Sequence, residues 1–181
     1  MGGINAVFFD GRRDLRRRDE RYRCLCASAR AGNTGADSRH DAFDVPYGTP
    51  ITADRAAEVV KAAVAEAKKS PRNWKLAISV VDTNGDLVYF YKMDQTAIAS
   101  VGISQGKART AARFRRPSSV FFNVMQTPAG AFAATLDPTL VASPGGFPLI
   151  EGGKVIGAIG CSGATGDQDG VACKAGADTI K

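Results

Sequence analysis

The sequence predicts an α+β domain, an antiparallel sheet with helices packed on it. Three observations carry the prediction. Apolar residues recur at helical spacing after Thr52, two pairs of apolar β-type runs are each joined by a glycine-bearing turn, and the order reads helix, hairpin, helix, loop, hairpin, helix. Hairpins joined by tight turns make antiparallel neighbours, so no long parallel crossover is expected.

The first helix opens at Thr52, a good N-cap, and carries Ala56, Val59, Val60, Ala63, Val64 and Ala67 on one face until Pro71 stops it. A strand follows in which Leu76, Ile78 and Val80 alternate with Ala77, Ser79 and Val81. Asp82-Thr83-Asn84-Gly85-Asp86 supplies the turn and Leu87 to Tyr91 the return strand, because an Asn-Gly between apolar runs is a strong hairpin signal. The second helix is expected from Ala97 to Phe114. Its apolar positions are Ile98, Val101, Ile103, Ala108, Ala111 and Ala112, and its cations gather toward the C-terminal end, where the helix dipole favours them. Pro117 ends it. A short helix over Ser118 to Met125 and a connecting loop from Gln126 to Pro144, with a small helix at most, lead into the second hairpin. That hairpin pairs Phe147–Ile150 with Val155–Ser162 through a tight turn, Glu151-Gly152-Gly153-Lys154. Gly163 to Asp169 then turns into the last helix, whose Val171, Ala172, Ala175 and Ile180 are expected to face the sheet.

Residues 49–181 therefore form the domain, and Met1 to Gly48 read as an irregular extension, built of small, polar and turn-forming residues without period 2 or 3.6. A chain of 181 residues with 44% apolar and 23% charged residues is of ordinary globular composition and can bury a core without a metal or disulfides. Much of the net charge of +6 sits in RRDLRRRDERYR from Arg12, where acids are interspersed and no aromatic platform accompanies the arginines. A solvated arm is expected rather than a nucleic-acid tail. No secretory h-region and no run of about twenty apolar residues is present, so the expectation is a cytoplasmic protein with no membrane partner. Cys24 and Cys26 form C-x-C, while Cys161 and Cys173 fit no zinc or redox motif, and four free thiols are expected.

The 20 glycines cluster toward the C-terminus, where SPGGFPLIEGGKVIGAIGCSGATGDQDGVA bares the backbone repeatedly. Two readings compete for Gly157 and Gly160. Either something approaches the sheet there, a ligand included, or a helix packs tightly. Gly163 and Gly166 precede a helix, so converging amides, with the hydroxyls of Ser162 and Thr165, form a candidate nest for a carboxylate or phosphate; the plainer reading is that Thr165 or Asp167 caps the helix. Lys107, in the small-residue segment SQGKARTAA, with Arg109 nearby, adds candidate cations for an anionic small molecule.

These segments together resemble the GlcG/HbpS-like family, also described as haem-binding or haem-degrading and similar to the PduO C-terminal domain. The matching motifs are I-T-A-D-R-A, V-V-D-T-N-G-D-L-V, K-M-D followed by S-x-x-x-S-Q-G-K-A-R-T-A-A, and G-G-F-P-L-I-E-G-G-K-V-I-G-A-I-G-C-S-G-A-T-G-D-Q-D, spanning Ile51 to Lys181. The resemblance implies a profilin- or PAS-like fold, homo-oligomers, a place in catabolic operons for some members, and haem binding in several. On that reading the ligand sits between the glycine-rich hairpin and the second helix. Haem takes His, Cys, Met or Tyr as axial ligand. The sole histidine is His40, in the extension, so Met93, Met125, Tyr89, Tyr91 and Cys161 are the further candidates. The alternative is a cofactor-independent enzyme, a tautomerase or isomerase acting on a carboxylated intermediate. Lys107 or Asp94 would serve as acid or base, with Gly160, Ser162, Gly163, Thr165, Gly166 and Arg109 around the anion.

Overall fold

The computed structural model describes residues 45–181. Helix α1 (Ala53–Lys69) is capped by Thr52, whose hydroxyl accepts from Arg55 N at 3.4 Å. Strands β1 (Ala77–Val81) and β2 (Leu87–Lys92) form the first hairpin. In its turn one Asp82 carboxylate oxygen accepts from the amides of Asn84, Gly85 and Asp86 at 2.8–3.0 Å. Helices α2 (Ser100–Phe114), α3 (Ser119–Met125) and α4 (Gly130–Ala133) precede β3 (Gly146–Glu151), β4 (Lys154–Ser162) and α5 (Gly166–Ala177). The β3–β4 turn places Gly152 at φ 53° and Gly153 at φ 75°, the pair of left-handed residues a two-residue hairpin turn demands.

The sheet order is β2-β1-β4-β3 with every pair antiparallel, so the two hairpins meet along β1 and β4. Both central strands are covered on both faces. On one face Ile78, Val80 and Ile159 pack with Val59, Val60 and Ala63 of α1 and Ala172 and Cys173 of α5. On the other, Val81 and Ala158 meet Ala108, Ala111 and Ala112 of α2. Trp74 packs against the larger cluster, and its indole N–H is buried without a hydrogen-bond partner.

Three expectations need correction. Helix α2 begins at Ser100, and Ile98 and Ile103 are exposed, because the face it turns to the sheet is made of Ser104, Lys107, Ala108 and Ala111. Small residues at Ser104 and Ala108 let the helix backbone come close to Gly160 of β4. Val171 likewise faces solvent, since α5 buries Asp169, Ala172, Cys173 and Gly176 instead. Finally, Cys161 and Cys173 are not free thiols. They form a disulfide between β4 and α5, with Cα atoms 5.6 Å apart. Cys24, Cys26 and His40 lie outside the described residues.

Residues 46–48 bond to β4 and α2. Val155 N donates to Pro46 O at 2.9 Å, Gly48 N donates to Val155 O at 2.8 Å, and the Tyr47 hydroxyl donates to Ala112 O and Arg113 O. No described helix is long and apolar enough to cross a membrane.

Candidate functional site

The glycine-rich hairpin holds protein. A Cβ on Gly160 would strike Ser104 O and stand 2.6 Å from Ala108 N, both backbone atoms of α2. Helix α2 therefore lies directly on β4, and no ligand fits between them. Of the two readings open in the sequence, tight helix packing is the one observed, which corrects the placing of a ligand between hairpin and second helix. Gly163 is likewise filled by the Lys75 carbonyl, its φ of 145° admitting a contact that a side chain would block.

Lys107 lies at the centre of this packing and is 1% exposed. Its ammonium donates to Asp169 Oδ2 at 2.8 Å and to Cys161 O at 3.0 Å. The other Asp169 oxygen accepts from Ala164 N at 2.9 Å, and the Gly163 amide also bonds this carboxylate. The amides expected to hold a bound anion thus hold an anion of the chain itself. Burial pushes the Asp169 carboxyl above its ordinary value, while Lys107 and the two amides pull it back. Thr165 caps α5 in a reciprocal box with Gln168, and Gly166 opens the helix against the ring of Pro144. Ser162, 5% exposed, pairs with Ala77.

The remaining candidates stand apart. Arg109 donates to Gly85 O at 3.1 Å, at the turn end of β1. Ser162 lies at the other end of that strand, roughly 14 Å away for four residues of extended chain. Asp94 is exposed just beyond β2, two strand spacings from Cys161, roughly 10 Å. It does not join Lys107 in an acid–base pair. Asp169 was missed in the sequence because an acid in the first turn of a helix already has a reason to be there. Only the tertiary contact with Lys107 gives it a second one.

A haem ligand set can be tested on the donors present. Cys161 is bonded to Cys173, and Met93 is 7% exposed with its sulfur accepting from Leu76 N at 3.5 Å. Met125 closes α3, where Gly130 packs against its backbone. Tyr89 and Tyr91 differ from all of these. Two apart on edge strand β2, and paired with Val80 and Ile78, they share the α1 side of the sheet. With α1 they line an open groove of about 350 Å³, Val60 and Val64 opposite them and Lys61 and Lys68 beside it. Its size is that of a small-molecule site. Among the described residues no phenol here has a hydrogen-bond partner, and no three His, Cys, Asp or Glu side chains gather as a metal site. The groove supplies an apolar wall, two hydroxyl donors and two cations, a set that fits an iron porphyrin with carboxylate arms.

Comparison with known proteins places the chain. The family model described as haem degrading protein HbpS-like matches residues 51–178. Protein GlcG of Escherichia coli strain K12 is 37% identical over 112 residues, 62% of this chain and 81% of GlcG. A double mutant of HbpS from Streptomyces reticuli matches with a TM-score of 0.67 at 26% identity, covering 82% of this chain and 99% of that one. The PduOC:Heme complex shares the fold, with a TM-score of 0.66 at 21% identity over 74% of this chain and 96% of that one.

Proposed function

The chain belongs to the HbpS-like family, and from that premise we propose that it is a small-ligand-binding protein whose ligand is haem, acting as a homo-oligomer. The observation that carries the reading is the donor census. Cys161 and Met93 are committed within the fold, whereas Tyr89 lies half-buried on an open groove with apolar and cationic walls. Self-association is part of the reading that the family resemblance carries. The enzyme alternative has less support, because Lys107 is enclosed and ion-paired.

A haemin titration of the full chain, followed by absorbance, tests the reading. Saturable uptake at one haem per subunit with a defined Soret band is expected, and a spectrum no different from free haemin would overturn it. The same titration on His40→Ala separates the donors, since binding lost with His40 would transfer the axial role from the groove to residue 40. A cytoplasmic location is part of the same reading, and it stands in tension with the Cys161–Cys173 bridge, because disulfides persist mainly in oxidising compartments. Thiol counting on protein trapped directly from cells decides between them.

A further inference from the structure

We infer that the α1–β2 groove is the haem site, with Tyr89 as the iron ligand and Lys61 and Lys68 as the partners of the haem carboxylates; this rests on the haem reading above. Tyr89 is the more enclosed of the two phenols, and its ring packs against the core, so its hydroxyl is held in place without a protein partner. A ferric ion is a hard acceptor that a phenolate oxygen suits. Tyr89 would release its proton to solvent and bind iron in exchange for the water or hydroxide that free haemin carries. No change of iron oxidation state is involved. Tyr91, 41% exposed, stands nearer the groove mouth, where its ring covers the edge of a flat ligand.

The cations give the groove its polarity. Lys61 and Lys68 are seven residues apart on α1, about two turns, and therefore on one face roughly 10 Å apart along the axis. Lys61 makes only a loose pair with Glu58 at 3.6 Å, both side chains being largely exposed, so it can turn to a carboxylate at little cost. An apolar wall flanked by two cations matches a ligand with an apolar plane and two carboxylates. A neutral apolar ligand would leave the lysines without a role.

The test uses the full chain and three variants, Tyr89→Phe, Tyr91→Phe and Lys61→Glu/Lys68→Glu, each titrated with haemin and with iron-free protoporphyrin. For haemin, Tyr89→Phe is expected to change the ferric spectrum from the high-spin form of a phenolate ligand and to weaken binding at least about tenfold. Tyr91→Phe should retain the spectrum. The double reversal should weaken both porphyrins about tenfold while leaving the haemin spectrum as it was. Iron-free protoporphyrin should be indifferent to Tyr89→Phe. An unchanged spectrum and affinity in Tyr89→Phe would remove Tyr89 from the site while the haem reading stood. Unchanged porphyrin affinity in the double reversal would remove the groove. Failure of the unaltered chain to bind haemin would overturn the parent reading, and the site with it.

Discussion

Lys107 shows how a residue chosen for one reason in a sequence can have another in the fold. A lysine bordered by serines, glycine and alanines suggests a cation in a tight place, and it is one, but its partner is Asp169 of α5 rather than a ligand. A buried pair of this kind costs more to break than it contributes when intact, because either survivor is left as an uncompensated charge. Lys107→Met and Asp169→Asn should each lower unfolding stability by about 3–5 kcal/mol, and the double variant by less than their sum, measured by urea unfolding. In Lys107→Met the lone Asp169 loses its strongest downward pull, so its folded carboxyl value rises further above the unfolded one. The folded state then binds the extra proton, and the sign follows: stability is retained below the unfolded value and lost as pH rises through the folded one. The deficit should therefore be smaller near pH 4 than at pH 8. An identical deficit at both would mean that Asp169 does not titrate in that range.

Helices and strands were legible where patterning is local. The Thr52 cap, the Asn84-Gly85 turn, the Gly152-Gly153 turn and the length of β4 each follow from signals within a few residues. The faces of α2 and α5 did not follow, because the rule that apolar residues turn inward fails where the backbones touch. Helix α2 turns Ser104 and alanines to the sheet, and the Ser104 hydroxyl lies 2.8 Å from that of Ser79. The glycines of β4 are the counterpart of that face. Gly160→Ala should destabilise the domain by roughly 1–3 kcal/mol or more, since the atoms met are main-chain and cannot rotate aside. Gly152→Ala, which meets nothing within 4 Å but sits at φ 53°, should cost only its backbone strain, about 1 kcal/mol. Thermal melts of the two variants side by side check this ordering. Equal losses would show that α2 can lift from the sheet without penalty.

For the described domain as a whole, the fold class and family were legible, and so were Tyr89 and Tyr91 as candidates, whereas the groove that sets them beside α1 was not. The motifs from Ile51 onward are spread over most of the elements, so their combination speaks for the fold. The groove joins α1 to β2 across intervening chain, and nothing in the local sequence of Lys61 or Tyr89 announces the other. The Cys161–Cys173 bridge was hidden for a similar reason, as a 12-residue separation fits no motif yet spans the step from β4 to α5. It closes a short loop, and its reduction should cost about 3 kcal/mol by chain entropy. Melting in the presence and absence of a strong reductant is expected to show a midpoint several degrees lower when reduced. No shift, with both thiols verified free, would make the bridge incidental to stability.

Trp74 is the single tryptophan of the chain, and its indole nitrogen is shut away from water with nothing to bond. An indole in such surroundings emits at shorter wavelength than one in solvent, so, excited beyond tyrosine absorption, the protein reports through one indole from beside its core. Unfolding should shift that emission to the red, and a strongly absorbing chromophore bound to the same domain should dim it by energy transfer. The chain therefore has its own optical gauge for both folding and occupancy, with no label attached.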